Sequence, residues 1–102
     1  MGVLAMLELQ GETRALMAAA EELDRRLPAA DGLLARITAP TDDGMVLFQL
    51  WKSAEARQRN ADDPGHTEAL SASGMLAAVQ GSRSRVFDDA VLHDLGEPAS
   101  RP

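Results

Sequence analysis

The chain has 102 residues, 45% of them hydrophobic and 25% charged, with no cysteine and a net charge of −6. That length makes one domain with a modest core, and the missing cysteines rule out disulfides and thiol chemistry. The acidic balance argues against nucleic-acid or anionic-membrane partners, since both need a basic footprint.

The opening Met1-Gly-Val-Leu-Ala-Met6 lacks the basic region and cleavage site of a signal peptide. Met6 stands where a myristoylation signal carries Ser or Thr. No apolar run approaches membrane-spanning length, so the expectation is a cytoplasmic protein. Val3 to Gln10 alternates as a first strand, with Val3, Ala5, Leu7 and Leu9 against Leu4, Met6, Glu8 and Gln10. Gly11 closes it. Glu12 to Leu27 is rich in helix formers, and Leu16, Ala20, Leu23 and Leu27 recur as one apolar stripe that Pro28 ends. Gly32 to Thr38 reads as a second strand, with Leu33, Ala35 and Ile37 on one face and Leu34, Arg36 and Thr38 on the other.

An Asp43-Gly44 turn predicts a hairpin into the longest apolar run, Gly44-Met-Val-Leu-Phe-Gln-Leu-Trp-Lys-Ser53. Alternation gives it a wholly apolar face (Val46, Phe48, Leu50) and a half-polar one (Met45, Leu47, Gln49, Trp51). Ser53 is placed to cap a helix reaching about Ala61, with Glu55 in its first turn. Asp63-Pro64 starts another helix, stopped by Gly74. After a loop through Gly81, a fourth strand lies within Arg83 to Leu95, and Asp88-Asp89 breaks its parity as a bulge would. A single domain over 1–95 and a disordered tail over 96–102 follow.

The order strand, helix, strand, strand, helix, strand is the ferredoxin-like βαββαβ arrangement, an α+β fold with an antiparallel four-stranded sheet. Right-handed crossovers place strands one and three at the centre. Two helices cover one sheet face, and the wholly apolar sets are expected beneath them. The other face would then hold Leu4, Met6, Glu8, Gln10, Arg36, Met45, Leu47, Gln49 and Trp51. That patch is too apolar to leave in water, which predicts a homodimer whose facing sheets enclose a cavity.

The segment Leu50-Trp51-Lys52-Ser53-Ala54-Glu55-Ala56 resembles the W-x-S-x-x-A stretch of the dimeric α+β barrel superfamily, in particular its small antibiotic-biosynthesis-monooxygenase-like proteins. Asp63-Pro64-Gly65-His66 resembles the Pro…His segment that follows in many of them, and Val91-Leu92-His93-Asp94-Leu95 their closing strand. The resemblance spans roughly residues 3 to 95 and implies a homodimer with a small hydrophobic or aromatic substrate. Such relatives oxidise anthrone-type polyketides with dioxygen and no cofactor, cyclise polyketides, isomerise lactones or degrade haem. The second Trp and the haem-ligating His of the haem-degrading branch fall on Asn60 and Leu70 here, which argues against haem. The chain has no tyrosine, so mechanisms that use a phenol hydroxyl are closed to it.

His66 is the candidate proton shuttle, because imidazole titrates near neutral pH; the plainer reading is a half-exposed residue in the first turn of a short helix. Trp51 is the other catalytic candidate, as a cavity wall with an indole N–H to offer, or else a core residue at the dimer seam. Arg36, Gln49, Glu8, Met6 and Leu47 are candidate substrate-binding residues on the half-polar face, with Arg36 able to steady an enolate. Arg36 could equally reach solvent, and Glu8 and Gln49 could bond across the dimer. His93 reads as structural or exposed, and Arg57, Arg59 and Asp62 as a solvated helix face. Two distant histidines make no metal site, and no cofactor is expected. The leading reading is a cofactor-independent monooxygenase-like enzyme acting on a polyketide-like aromatic. A polyketide cyclase or lyase in the same cavity, and a non-catalytic ligand-binding dimer, are the alternatives.

Overall fold

The computed structural model describes residues 2–27 and 30–93; the tail expected over 96–102 lies outside them. In chain order the elements are β1 (Gly2–Gln10), α1 (Thr13–Arg26), β2 (Leu33–Thr41), β3 (Gly44–Trp51), α2 (Ala54–Asp62), α3 (Pro64–Ala72), α4 (Met75–Ala78) and β4 (Gly81–Ala90). The strands form one antiparallel sheet in the order β2-β3-β1-β4, with β1 and β3 central as expected. None of the described helices is long and apolar enough to cross a membrane.

Local chemistry sets the helix starts. Ser53 accepts the Ala56 N–H at 3.1 Å, and Asp63 accepts the Gly65 N–H at 3.0 Å with Pro64 in the first turn. Glu12 caps α1 by accepting the Ala15 N–H at 2.6 Å. On the outer side of α1, a hydrogen bond from Arg25 holds the Glu22 carboxyl below the usual carboxylate range. The short helix α4 falls where the sequence suggested only a loop. β4 correspondingly starts two residues earlier than the expected Arg83, and Val91 to His93 lie beyond its end. The bulge expected at Asp88-Asp89 is present: between the pairs Gly2–Ala90 and Leu4–Phe87, β4 carries one more residue than β1. Asp89 takes a left-handed φ of 58° there.

Pairing register corrects the face assignment. β1 and β3 pair with Val3 opposite Trp51, Leu7 opposite Leu47 and Leu9 opposite Met45. Directly opposed residues share a face, so the half-polar set of β3, not its apolar set, joins Val3, Ala5, Leu7 and Leu9 beneath the helices. In β2, Leu33 pairs with Trp51 and Ala35 with Leu50, leaving Leu34 as an extra residue. This bulge switches the phase of the strand. Leu33, Arg36 and Thr38 therefore look toward the helices, while Ala35 and Ile37 look away.

The core consists of two clusters on that inner face. Leu9, Leu16, Ala19, Met45 and Met75 pack at one end of the sheet, and Val3, Trp51 and Ala56 at the other. The opposite face carries Leu4, Met6, Phe48, Ile37 and Phe87 with no helix over it. Ile37 is 60% exposed and Phe87 38%.

The hairpin loop is Asp42-Asp43, and Gly44 already belongs to β3, paired with Thr41 on one side and Gln10 on the other. Its glycine is required by proximity, since a Cβ would sit 1.8 Å from the Leu9 carbonyl oxygen. Gly74, by contrast, has φ 88° and open space around it. Gly44→Ala is expected to destabilise the fold by about 3 kcal/mol or more, and Gly74→Ala by about 1 kcal/mol. Urea titrations of the two variants measure the difference.

Candidate functional site

Between the two core clusters lies a cavity of about 1260 Å³, above the roughly 300–1,000 Å³ usual for small-molecule sites. Its floor is the inner sheet face: Leu7, Leu9, Met45, Leu47, Gln49 and Trp51, with Arg36 and Thr38 of β2 to one side. Met17, Ala20 and Leu23 of α1 form one wall. Arg57 and Asn60 of α2, His66 and Leu70 of α3, and Met75 of α4 form the other.

The space exists because α2 and α3 bring little bulk to the sheet. Each contributes one buried residue, Ala56 and Ala69. Methyl groups cannot fill the gap that α1 spans with Leu16 and Leu23. This cavity is thus formed within one chain, on the helix side of the sheet.

Five of the seven residues singled out by sequence line this cavity: His66, Trp51, Arg36, Gln49 and Leu47. His66 is half-buried in the first turn of α3, its backbone N–H donating to the Asp63 carbonyl at 3.0 Å. Trp51 is 1% exposed and donates its indole N–H to Gln49 Oε1 at 3.3 Å. Because an indole can only donate, that bond fixes which way the Gln49 amide points and leaves its NH₂ to face other groups. Arg36 is ion-paired with Asp24 of α1, which clamps β2 to that helix. Arg59 and Asp31 pair at 3.6 Å and tie α2 to the segment before β2.

The remaining two do not join the set. Glu8 is exposed and pairs with Val46 and Arg83 on the helix-free face, because register, not polarity, decides which way a strand residue points. Met6 lies opposite Phe48 on the same face. It borders a smaller cavity of about 80 Å³, shared with Ala5, Leu7, Leu47, Gln49, Arg57, Ser84 and Arg85. His93 is exposed, beyond the end of β4.

Sequence reasoning missed Arg57, read there as solvated. It is half-buried and borders both cavities. The signal was its helical position: once Ser53 caps α2 and Ala56 turns inward, Arg57 and Asn60 flank the same stripe.

Solved structures share this architecture. A candidate antibiotic biosynthesis monooxygenase from Chloroflexus aurantiacus is 18% identical with a TM-score of 0.65, over 94% of this chain and 100% of its own. A dimeric ferredoxin-like protein of unknown function from Jannaschia gives 19% and 0.68, over 86% and 99%. SnoaB, a cofactor-independent oxygenase from Streptomyces nogalater, gives 16% and 0.62, over 94% and 98%. The fold is ferredoxin-like. At these identities the likeness establishes the fold and not a shared activity. No family model and no curated protein matches the chain.

Within this ferredoxin-like frame the Trp51–Gln49 pair lies on the cavity floor beside the Val3, Trp51 and Ala56 cluster. Gln49→Leu leaves the buried indole N–H without an acceptor and is expected to cost about 1–3 kcal/mol. Urea unfolding followed by the emission of Trp51, the sole tryptophan, reads the loss directly.

Proposed function

We propose that the protein is a cofactor-independent monooxygenase-like enzyme acting on a polyketide-like aromatic small molecule. The observation that carries this reading is the large cavity of a single chain, with an apolar floor and a histidine in its wall. Its likeness in fold to a cofactor-independent oxygenase is consistent with it. In the reaction, His66 removes a proton from an acidic CH₂ group held against Trp51 and Gln49. A substrate that fills the apolar floor displaces water from it, which keeps the carbanion electron-rich. The carbanion reduces dioxygen and bonds to it as a peroxide. Loss of the second hydrogen and cleavage of the O–O bond then give the carbonyl and one water, so CH₂ and O₂ become C=O and H₂O. Arg36 lies at the cavity edge, where it can steady the anion by sharing its guanidinium between Asp24 and the substrate.

Purified protein supplied with an anthrone under air is expected to consume one dioxygen per quinone formed. His66→Ala should lower the rate by about 10²-fold or more, as loss of a general base does. Oxygen-electrode traces of the two proteins decide it. Turnover under nitrogen would instead identify a cyclase or lyase using the same histidine. A non-catalytic binding role is favoured by one feature: Trp51 is the only aromatic side chain lining the cavity, while Phe48 and Phe87 lie on the opposite face. Saturable binding without product would identify that role.

The same reading includes a homodimer. Solved structures of this fold from Jannaschia and Thermobifida fusca are described as dimeric, and the helix-free face with Ile37 and Phe87 gives a second copy apolar surface to cover. Sedimentation equilibrium should return twice the 10.9 kDa chain mass. Ile37→Glu, which puts a charge into that contact, should return the single chain.

A further inference from the structure

Four arginines border the main cavity: Arg14, Arg36, Arg57 and Arg59. Five ion pairs among the described residues engage Arg25, Arg26, Arg36 and Arg59. Arg57 is in none of them, and in none of the side-chain hydrogen bonds. Arg14 is exposed, whereas Arg57 is half-buried on the inner stripe of α2, where a globular helix ordinarily places an apolar residue. Among the described residues no polar side-chain atom is buried without a partner, so the Arg57 guanidinium keeps solvent contact and can exchange water for an anion.

Arg57 also borders the smaller cavity of about 80 Å³, ample for more than one water by the roughly 10–15 Å³ that one needs. No Asp or Glu lines that space. Gln49 borders it too, with its carbonyl occupied by Trp51 and its NH₂ left to donate. Ser84 of β4 adds a hydroxyl. Arg85 is a further neighbour, with its guanidinium 5.0 Å from the Phe87 ring centroid. The side cavity therefore gathers donors without a balancing carboxylate, and it shares Leu7, Leu47, Gln49 and Arg57 with the main cavity.

We infer that Arg57 and the Gln49 amide form an anion subsite that receives a carboxylate of the ligand while the ligand's apolar body fills the main cavity. This inference rests on the cavity being a small-molecule site, and it narrows the substrate class to aromatic or polycyclic carboxylic acids. The carboxylate accepts two N–H bonds from the planar guanidinium fork and a third from Gln49. An acid anchored in this way has its apolar part held along the cavity floor toward His66 and Trp51.

The test uses 2-naphthoate and its neutral counterpart 2-naphthamide, titrated into the full chain at pH 7 by isothermal titration calorimetry. The acid is expected to bind about tenfold or more tighter than the amide, as a charge-assisted pair requires. Arg57→Gln should bring the acid within about twofold of the amide, because the charge-assisted contact is the one that favours the acid. Arg57→Lys should keep part of the preference, since it keeps the charge and loses the fork. Equal binding of acid and amide, or a preference that survives Arg57→Gln, overturns the subsite and leaves the cavity reading standing. Loss of both ligands in Arg57→Gln assigns Arg57 to shaping the cavity and likewise overturns the subsite. If neither compound binds the parent protein, the cavity reading and the subsite fall together.

Discussion

Everything in this molecule depends on the register in which β1 pairs with β3. With Val3 opposite Trp51 and Leu9 opposite Met45, the large side chains of both central strands meet on one face and seed both core clusters. A slip of one residue would turn each of them to the other side. The near-contact of Gly44 with the Leu9 carbonyl helps to hold that register, because no other residue can occupy the position without moving the strand. The bulge at Leu34 carries the same choice into β2 by bringing Arg36 under the helices and sending Ile37 out.

The helix layer built on this sheet is uneven. α1 brings Leu16, Ala19 and Leu23 into the core, whereas α2 and α3 bring a single alanine each. The result is a core packed at its two ends and open in the middle. The polar residues Gln49, Arg57, Asn60 and His66 all border that opening. Polar side chains are tolerated on an inner face where they border a cavity that a ligand or water can enter, and are excluded where apolar packing is continuous. Fold and site are therefore one problem: where apolar bulk runs out, chemistry begins.

Much of the fold was legible in the sequence. Strand alternation, the Ser53 and Asp63 caps, the Gly11 break and the Asp88-Asp89 irregularity mark out local structure that depends on neighbouring residues. What could not be read is which face of β3 meets which face of β1, since both faces are largely apolar and the choice rests on long-range pairing. The premise that the half-polar set belongs outside reversed the answer. Gln49 and Arg36 border the cavity on the helix side of the sheet, not the helix-free face. His66, Trp51, Gln49, Arg36 and Leu47 nevertheless converge on one cavity, because the rule that picked them (polar groups among large apolar ones) describes a cavity lining as well as an open face. Glu8 and Met6 entered through β1's second set, and the register carries that set away. Arg57 was missed because a charged helix residue between Ala56 and Gln58 looks solvated until the inner stripe of the helix is known.

The two charge pairs on β2's flank have a consequence of a different kind. Arg36–Asp24 fastens the edge strand to α1, and Arg59–Asp31 fastens α2 to the loop leading into that strand. Three of the four side chains are largely in solvent, where added electrolyte weakens such attractions within a Debye length of about 8–10 Å. The apolar clusters at either end hold no such dependence. Added salt therefore weakens these two ties at the rim of the chamber and leaves the apolar clusters at its ends as they are.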